Sequence, residues 1–258
     1  MAVVLKHLVE RPRPCSYLPD ATASLEYRVL VDVSPAELEA LLERGWRRFG
    51  VGYFRPACSS CAECVSLRIP VARFEPSRGQ RRALRKAAAL RPVVGPAIVD
   101  DTRVALHRTW YADRERARGW EASSLDEAAY AEQFAFPHPC AREIAYYDGT
   151  RLVAVGLCDE TPRAWSAAYF FYDPAYAAYS PGVVHVLNLI RIAREQGKAH
   201  VYLGFRVQGC ASMRYKALFR PHELLATRPG FGEQPRWVDS LSSPNLGAGA
   251  SARGPTTE

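Results

Sequence analysis

The chain has no apolar run approaching the roughly 20 residues that a membrane-spanning helix needs. Its opening, MAVVLKHLVERPRP, lacks the apolar core and small-residue cleavage site of a secretory leader. Both absences point to a soluble, cytoplasmic protein with no membrane partner. Acidic residues are outnumbered, 27 against 34 Lys and Arg, and the resulting +7 favours polyanionic partners such as nucleic acid or phospholipid. The seven cysteines are an odd count without the spacing of a secreted disulfide framework. No Ser-His-Asp or Cys-His constellation is evident, so a nucleophile activated by a neighbouring base has no obvious carrier. Internal repeats are absent too. What is present is 258 residues, 48% hydrophobic, enough for one large core or two small ones.

The local patterning mixes strands and helices. LEYRVLVDV alternates as a strand, and Ser34 then caps SPAELEALLERG, with Glu37 completing a capping box and Gly45 following the last turn. FGVGYFRPA and VSLRIPVARF read as strands on either side of a cysteine cluster. Ser77 and Gln80 form a second capping box ahead of a cationic helix, and Pro92 and Pro96 demote RPVVGPAIVDD to an edge strand or a linker. Two amphipathic helices follow in VALHRTWYADRERARG and LDEAAYAEQFAF. A hairpin then turns at Asp148-Gly149, and RAWSAAYFFYDP adds a third strand. VVHVLNLIRIAREQG is an apolar-faced helix between that strand and HVYLGF, so a right-handed crossover and a locally parallel pair are expected. The fold class is α+β: a small Cys-containing α/β module over 1–100, a second domain over 101–240, and a small, polar, disordered tail over 241–258.

Two features of the first half carry chemistry. Cys58, Cys61 and Cys64 form C-x-x-C-x-x-C, which brings three thiols within reach of one soft cation if the backbone turns around it. A zinc ion or an iron–sulfur cluster prefers four ligands, and Cys15 in RPRPCSYLP is the best candidate for the fourth. The plain alternative is a turn that happens to hold thiols; Cys140, Cys158 and Cys210 read as ordinary buried or half-buried thiols. The second feature is the cationic run. Arg78, Arg82 and Arg85 share a helix face with Arg81 and Lys86 beside them, and each like-charge pair at that spacing costs about 0.2–0.5 kcal/mol. Phosphates would relieve the repulsion and release counterions. Otherwise the face is simply solvated.

PCSYLP, YFRPACSSCAECVSLRIPVARFEPSRGQRR, SAAYFFYDP, VYLGF and MRYKALFRPHE, in that order, resemble the aminoacyl-tRNA–protein transferases. These enzymes add an amino acid to protein N-termini and so mark them for degradation by the N-end rule. The triplet form of the cysteines resembles the short bacterial branch, which transfers leucine to N-terminal Asp or Glu; the longer eukaryotic branch transfers arginine. The resemblance implies a GNAT-like acyltransferase fold over 101–240. The turn YSPGVVHV lacks the glycine pattern that holds coenzyme A pyrophosphate, so an acyl-CoA donor is disfavoured. Eukaryotic relatives bind zinc or an iron–sulfur cluster through N-terminal cysteines, but PCSYLP has one cysteine where they have a pair. Departures at RERARGWEASS, YLGFR, Ala87 and SPG bear on which amino acid is transferred more than on the reaction class.

The reaction so implied is attack of an α-amine, pKa about 7.7–8, on the ester of an aminoacyl-tRNA. The ester is already activated, so holding two substrates together supplies much of the rate, up to roughly 7–11 kcal/mol, and no cofactor is required for the chemistry. Arg81, Arg82, Arg85 and Lys86 are the candidates for tRNA phosphates. Arg78, and after it Lys216, are the candidates for the acidic acceptor side chain. Lys216 also stands as a catalytic candidate, with Tyr202 and Tyr215 orienting the amine or the carbonyl and Asp173 accepting a proton or holding the ammonium. For Tyr202 and Asp173 the alternatives are strand-end packing and a turn. Competing functions are an arginyl donor, a non-catalytic RNA-binding protein, and a GNAT enzyme with another acyl donor. Oligomeric state is not legible.

Overall fold

The computed structural model describes residues 1–122 and 125–242; from residue 243 onward the expected tail lies outside the described residues, while Leu241 and Ser242 end in a turn. The elements run β1 (Val3–Val9), β2 (Arg13–Pro14), β3 (Thr22–Ala23), β4 (Leu25–Val31), α1 (Pro35–Glu43), β5 (Arg47–Phe49), β6 (Gly52–Pro56), β7 (Val65–Pro70), α2 (Arg78–Lys86) and β8 (Leu90–Gly95) in the first half. The second half adds α3 (Asp101–Arg118), α4 (Glu127–Phe134), β9 (Ala141–Asp148), β10 (Arg151–Glu160), β11 (Ala164–Tyr172), α5 (Pro181–Glu195), β12 (His200–Arg206), α6 (Ala211–Arg214), β13 (Glu223–Leu225) and β14 (Trp237–Asp239). The α+β class is therefore the observed one. No helix among the described residues is long and apolar enough to cross a membrane.

Helix boundaries follow local chemistry. Ser34 and Glu37 close the capping box of α1 at 2.9 and 3.3 Å. Ser77 and Gln80 do the same for α2 at 2.8 and 3.3 Å. The Asp100 carboxylate caps α3, and Gly119 ends it in the left-handed region that glycine enters without strain (φ +64°).

The strands form a four-stranded sheet, β1-β4-β6-β5, and an eight-stranded sheet, β14-β13-β7-β12-β11-β10-β9-β8. The large sheet draws β7 and β8 from before residue 100 and its other strands from after it. All its pairs are antiparallel except β11–β12, the parallel pair flanking α5. β8, with its proline, is an edge strand.

Side chains alternate across this sheet and feed a core on each face. Ile144 and Tyr146 pack with α5 residues such as Leu189, while Ala145 packs with Trp110 of α3 and Tyr130 of α4. A third core under α1 joins Leu38, Leu42 and Trp46 to Ala164 and Tyr202, locking the small sheet onto the large one. Two buried ion pairs stitch the layers. Arg48 bonds Asp159 with its Nε at 2.9 Å, and Arg103 bonds Glu143 with its Nε at 3.0 Å.

One contact on the α5 face leaves no room for change. A Cβ added to Gly156 would lie 2.0 Å from Cε1 of His185, a fully enclosed ring that cannot swing away. Gly156→Ala should lower stability by at least about 3 kcal/mol, at the upper end for overpacking. Denaturant unfolding checks this, and His185→Ala in the same chain should recover most of the loss.

Candidate active site

The cleft arises where the large sheet comes apart. β11 and β12 are paired only at Ala164–His200, Trp165–Val201 and Ser166–Tyr202. Beyond that point they diverge, leaving a cavity of about 440 Å³ between Ala167–Phe170 on one side and Leu203–Phe205 on the other. Aromatic and aliphatic groups make most of its wall, among them Phe49, Phe54, Trp120, Tyr169 and Met213. No Asp or Glu among the described residues lines it. Its charges are Arg47, Arg48 and Lys216.

β5 carries both arginines, and they differ. Arg48 is neutralised by Asp159. Arg47 reaches into the gap, donating from Nη1 to Ser166 Oγ at 2.7 Å and from Nη2 to the Ala167 carbonyl. Burial works against its charge. Gly204 lets β12 come close to it: φ is +73°, and a Cβ there would stand 3.3 Å from the guanidinium Nε.

Lys216 follows α6 and donates to the Phe205 carbonyl at 2.9 Å. Burial, helped by the neighbouring Arg47 charge, lowers its pKa to about 7, so near neutral pH a large share of it is the free amine. Tyr215 lines the same wall and packs edge-on against Phe219. His185 also reaches the cleft, but it is held between Tyr146 Oη at 3.1 Å and Phe170, stacked at 4.6 Å. Burial lowers its pKa to about 3, which keeps it neutral.

The remaining candidates stand elsewhere. Tyr202 is buried under Trp237 and accepts a hydrogen bond from Arg68 at 3.4 Å, outside the cleft wall. Asp173 caps the turn after β11 through Ala175 N at 2.9 Å and pairs with Arg151. Arg78, Arg81, Arg82, Arg85 and Lys86 are all exposed on α2 and form no ion pair among the described residues. The helix nevertheless abuts the cleft, because Gln80 Nε2 donates to the Leu218 carbonyl at 3.2 Å, two residues beyond Lys216. Arg78 thus borders the site from outside rather than lining it.

The four cysteines share one neighbourhood. Cys64 is pushed up to about 12, first by burial and then by the proximity of Cys15, Cys58 and Cys61. Arg228 ties the loop together by donating to the carbonyls of Cys58 at 3.3 Å and Cys61 at 3.1 Å. The donor chemistry suits a soft cation. As placed, however, no three His, Cys, Asp or Glu side chains among the described residues converge as a metal site. Ser16 and Tyr17, next to Cys15, line the cleft, so this loop helps build its wall.

Arg47, Arg48 and His185 are the cleft residues that motif reading passed over. GWRRFG carries two adjacent arginines directly after a tryptophan, in a strand of three residues. That coupling of cations to an apolar anchor is the one signal that could have marked them.

Both halves of the chain match known family models. The model of the arginine-tRNA-protein transferase N terminus matches residues 13–82, and that of the C terminus matches 102–226. The aspartate/glutamate leucyltransferase of Helicobacter hepaticus is 32% identical over 224 residues, 86% of this chain and 93% of that protein. Its counterpart in Halorhodospira halophila is 37% identical over 220 residues, covering 83% and 91%. Among solved structures, L-PGS from Bacillus licheniformis aligns with a TM-score of 0.42 and 13% identity, over 74% of this chain and 67% of that one. With both halves matched in order and these relatives aligned along nearly their whole lengths, the chain belongs to the aminoacyl-tRNA–protein transferase family, in its leucyltransferase branch.

Proposed function

We propose that this chain transfers leucine from leucyl-tRNA to the α-amine of proteins that begin with Asp or Glu, a step that marks N-end rule substrates for degradation. The observation that carries the choice is the make-up of the cleft: apolar walls, an arginine without a direct ion pair, and no lining Asp or Glu among the described residues. An arginyl donor would need an acid to meet its guanidinium, and Arg47 would repel it. A leucyl side chain needs only apolar wall, while an acidic acceptor is drawn by the same guanidinium. A GNAT-like reading of 101–240 is supported by the β11–α5–β12 unit and its splayed pair. The use of charged tRNA fits a cytoplasmic site.

The chemistry follows. The acceptor amine attacks the ester carbonyl, a C–N bond forms, the C–O bond to the tRNA 3′ oxygen breaks, and the proton lost by the amine passes to the departing 3′ oxygen. Lys216 is the group to relay it, because a base is most effective when its pKa lies near the working pH. The nearby Arg47 charge also favours the neutral, nucleophilic form of a bound α-amine. Tyr215 is placed to orient the reacting groups. The exposed cations of α2, next to the Lys216 loop, would hold tRNA phosphates and so present the acyl end to the cleft. Cys15, Cys58, Cys61 and Cys64 would be the ligands of a zinc ion or an iron–sulfur cluster if the loop drew them together, and such a group would serve the structure of the loop.

Label from leucyl-tRNA should move to peptides beginning with Asp or Glu and not to those beginning with Ala; movement from arginyl-tRNA instead would reassign the donor. Lys216→Ala should cut transfer at least about tenfold with the fold intact, and near-normal transfer removes Lys216 from the chemistry. A lysine whose folded pKa is lowered to about 7 opposes folding wherever the unfolded chain is the more protonated. Wild-type stability should therefore rise from pH 7 toward the ordinary lysine range, and Lys216→Met should flatten that slope in melts taken across the window. Metal analysis of anaerobically purified protein should find close to one equivalent of zinc or of a cluster; below about a tenth of an equivalent, the four thiols bind no metal.

A further inference from the structure

We infer that Arg47 is the residue that reads the acidic side chain of the acceptor, at the point where β11 and β12 part. The inference deepens the reading above and rests on it for the identity of the acceptor. Three observations lead to it. First, Arg47 is as buried as Arg48, yet Arg48 pairs directly with Asp159 while Arg47 feels that carboxylate only through space and hydrogen-bonds neutral acceptors, Ser166 Oγ at 2.7 Å and the Ala167 carbonyl. Arg103, comparably enclosed, likewise has its carboxylate, Glu143. A buried charge left without a counter-ion is costly, and the cost is relieved when the missing anion arrives with a substrate.

Second, the guanidinium is fixed rather than free. β11 grips it from one side through Ser166 and Ala167, and Gly204 of β12 closes on it from the other. With two of its five N–H donors so engaged, the remainder suit the two oxygens of one carboxylate. Third, its position is right: it lines the same cavity as Lys216, so an acceptor whose first side chain meets Arg47 has its α-amine a short reach away within one cleft. Lys216 is occupied with the Phe205 carbonyl, and Arg78 lies on the exposed face of α2. A tRNA phosphate is the rival anion. The apolar wall around Arg47 and the separate row of exposed cations on α2 favour the side-chain carboxylate.

The test compares peptides identical except for Asp or Asn at the first position. Wild type, Arg47→Gln and Arg47→Lys are measured two ways: kcat/KM for transfer from leucyl-tRNA, and peptide binding by fluorescence anisotropy without tRNA. Arg47→Gln should lower kcat/KM for the Asp peptide by at least about tenfold more than for the Asn peptide, because a site built for a charged group loses most when that match is removed. Arg47→Lys should keep a preference for Asp, roughly tenfold weaker, since the charge stays and the fork is lost. Equal losses for both peptides, as a strand brace alone would give, overturn the inference. So does an unchanged preference, and so does a raised KM for leucyl-tRNA with the preference intact, the outcome for a phosphate-holding arginine. If Arg47→Gln does not fold, Ser166→Ala removes one anchor and should weaken the Asp preference several-fold; no change there counts against the inference. The binding arm separates the two readings. Arg47-dependent binding of the Asp peptide by a protein that moves no leucine would sink the leucyl reading alone. Vigorous leucyl transfer with preference unaltered in the variants would sink the role of Arg47 alone.

Discussion

Everything at the candidate site depends on one short stretch of hydrogen bonding. β11 and β12 run parallel for three pairs and then separate. Continued pairing would fill the space with a ladder and leave nothing to bind. The separation costs main-chain hydrogen bonds, and the Arg47 guanidinium offsets part of that loss by taking up the Ser166 hydroxyl and the Ala167 carbonyl at the fork. The residue that braces the opening is thereby delivered to the cleft wall, with no carboxylate among the described residues in a direct ion pair with it.

The rest of the fold is arranged around this fork. α5 crosses the α-side of the diverging strands, and the short helical turns after β12 bring Lys216 back over the gap. The capping box of α2 and the bond from Gln80 to Leu218 set the exposed cations alongside it. The cysteine loop leads from β6 into β7, while Ser16 and Tyr17 contribute to the wall. Positive charge is thus graded, from a solvated row on α2 to an enclosed guanidinium, which is the order in which a large polyanion and a small carboxylate would be met. The distinction is one of dielectric: the same charge acts over a longer range and more selectively when water is excluded around it.

Elements whose chemistry is local were legible in the sequence. Both capping boxes, the Asp148-Gly149 hairpin, the edge strand at Pro92 and the α5 crossover all stand where patterning puts them, because each is decided by residues within a few positions. β1 was not legible: six of its seven residues are exposed, so it shows no alternation and owes its form to pairing with β4. The three-residue strands β5, β13 and β14 are too short for any period to show. Of the candidate site residues, Lys216 and Tyr215 come together at the cleft, whereas Tyr202 and Asp173 are engaged in packing and a turn. Their motifs are as distinctive as that of Lys216, and only the course of the strands tells them apart. Arg47 escaped because a charged residue in a brief strand reads as surface until a long-range fork encloses it.

The large sheet takes β7 and β8 from the first hundred residues and is completed by strands from the rest. The chain is therefore not modular in the way its two family matches suggest. The cation at the fork comes from the first half and the amine above it from the second, across a sheet whose strand order interleaves both. A chimera joining the first half of one family member to the second half of another would need a matched sheet seam as well as a matched pair of cleft residues. The two cleft residues are held in register by one sheet, so an exchange of either half disturbs both.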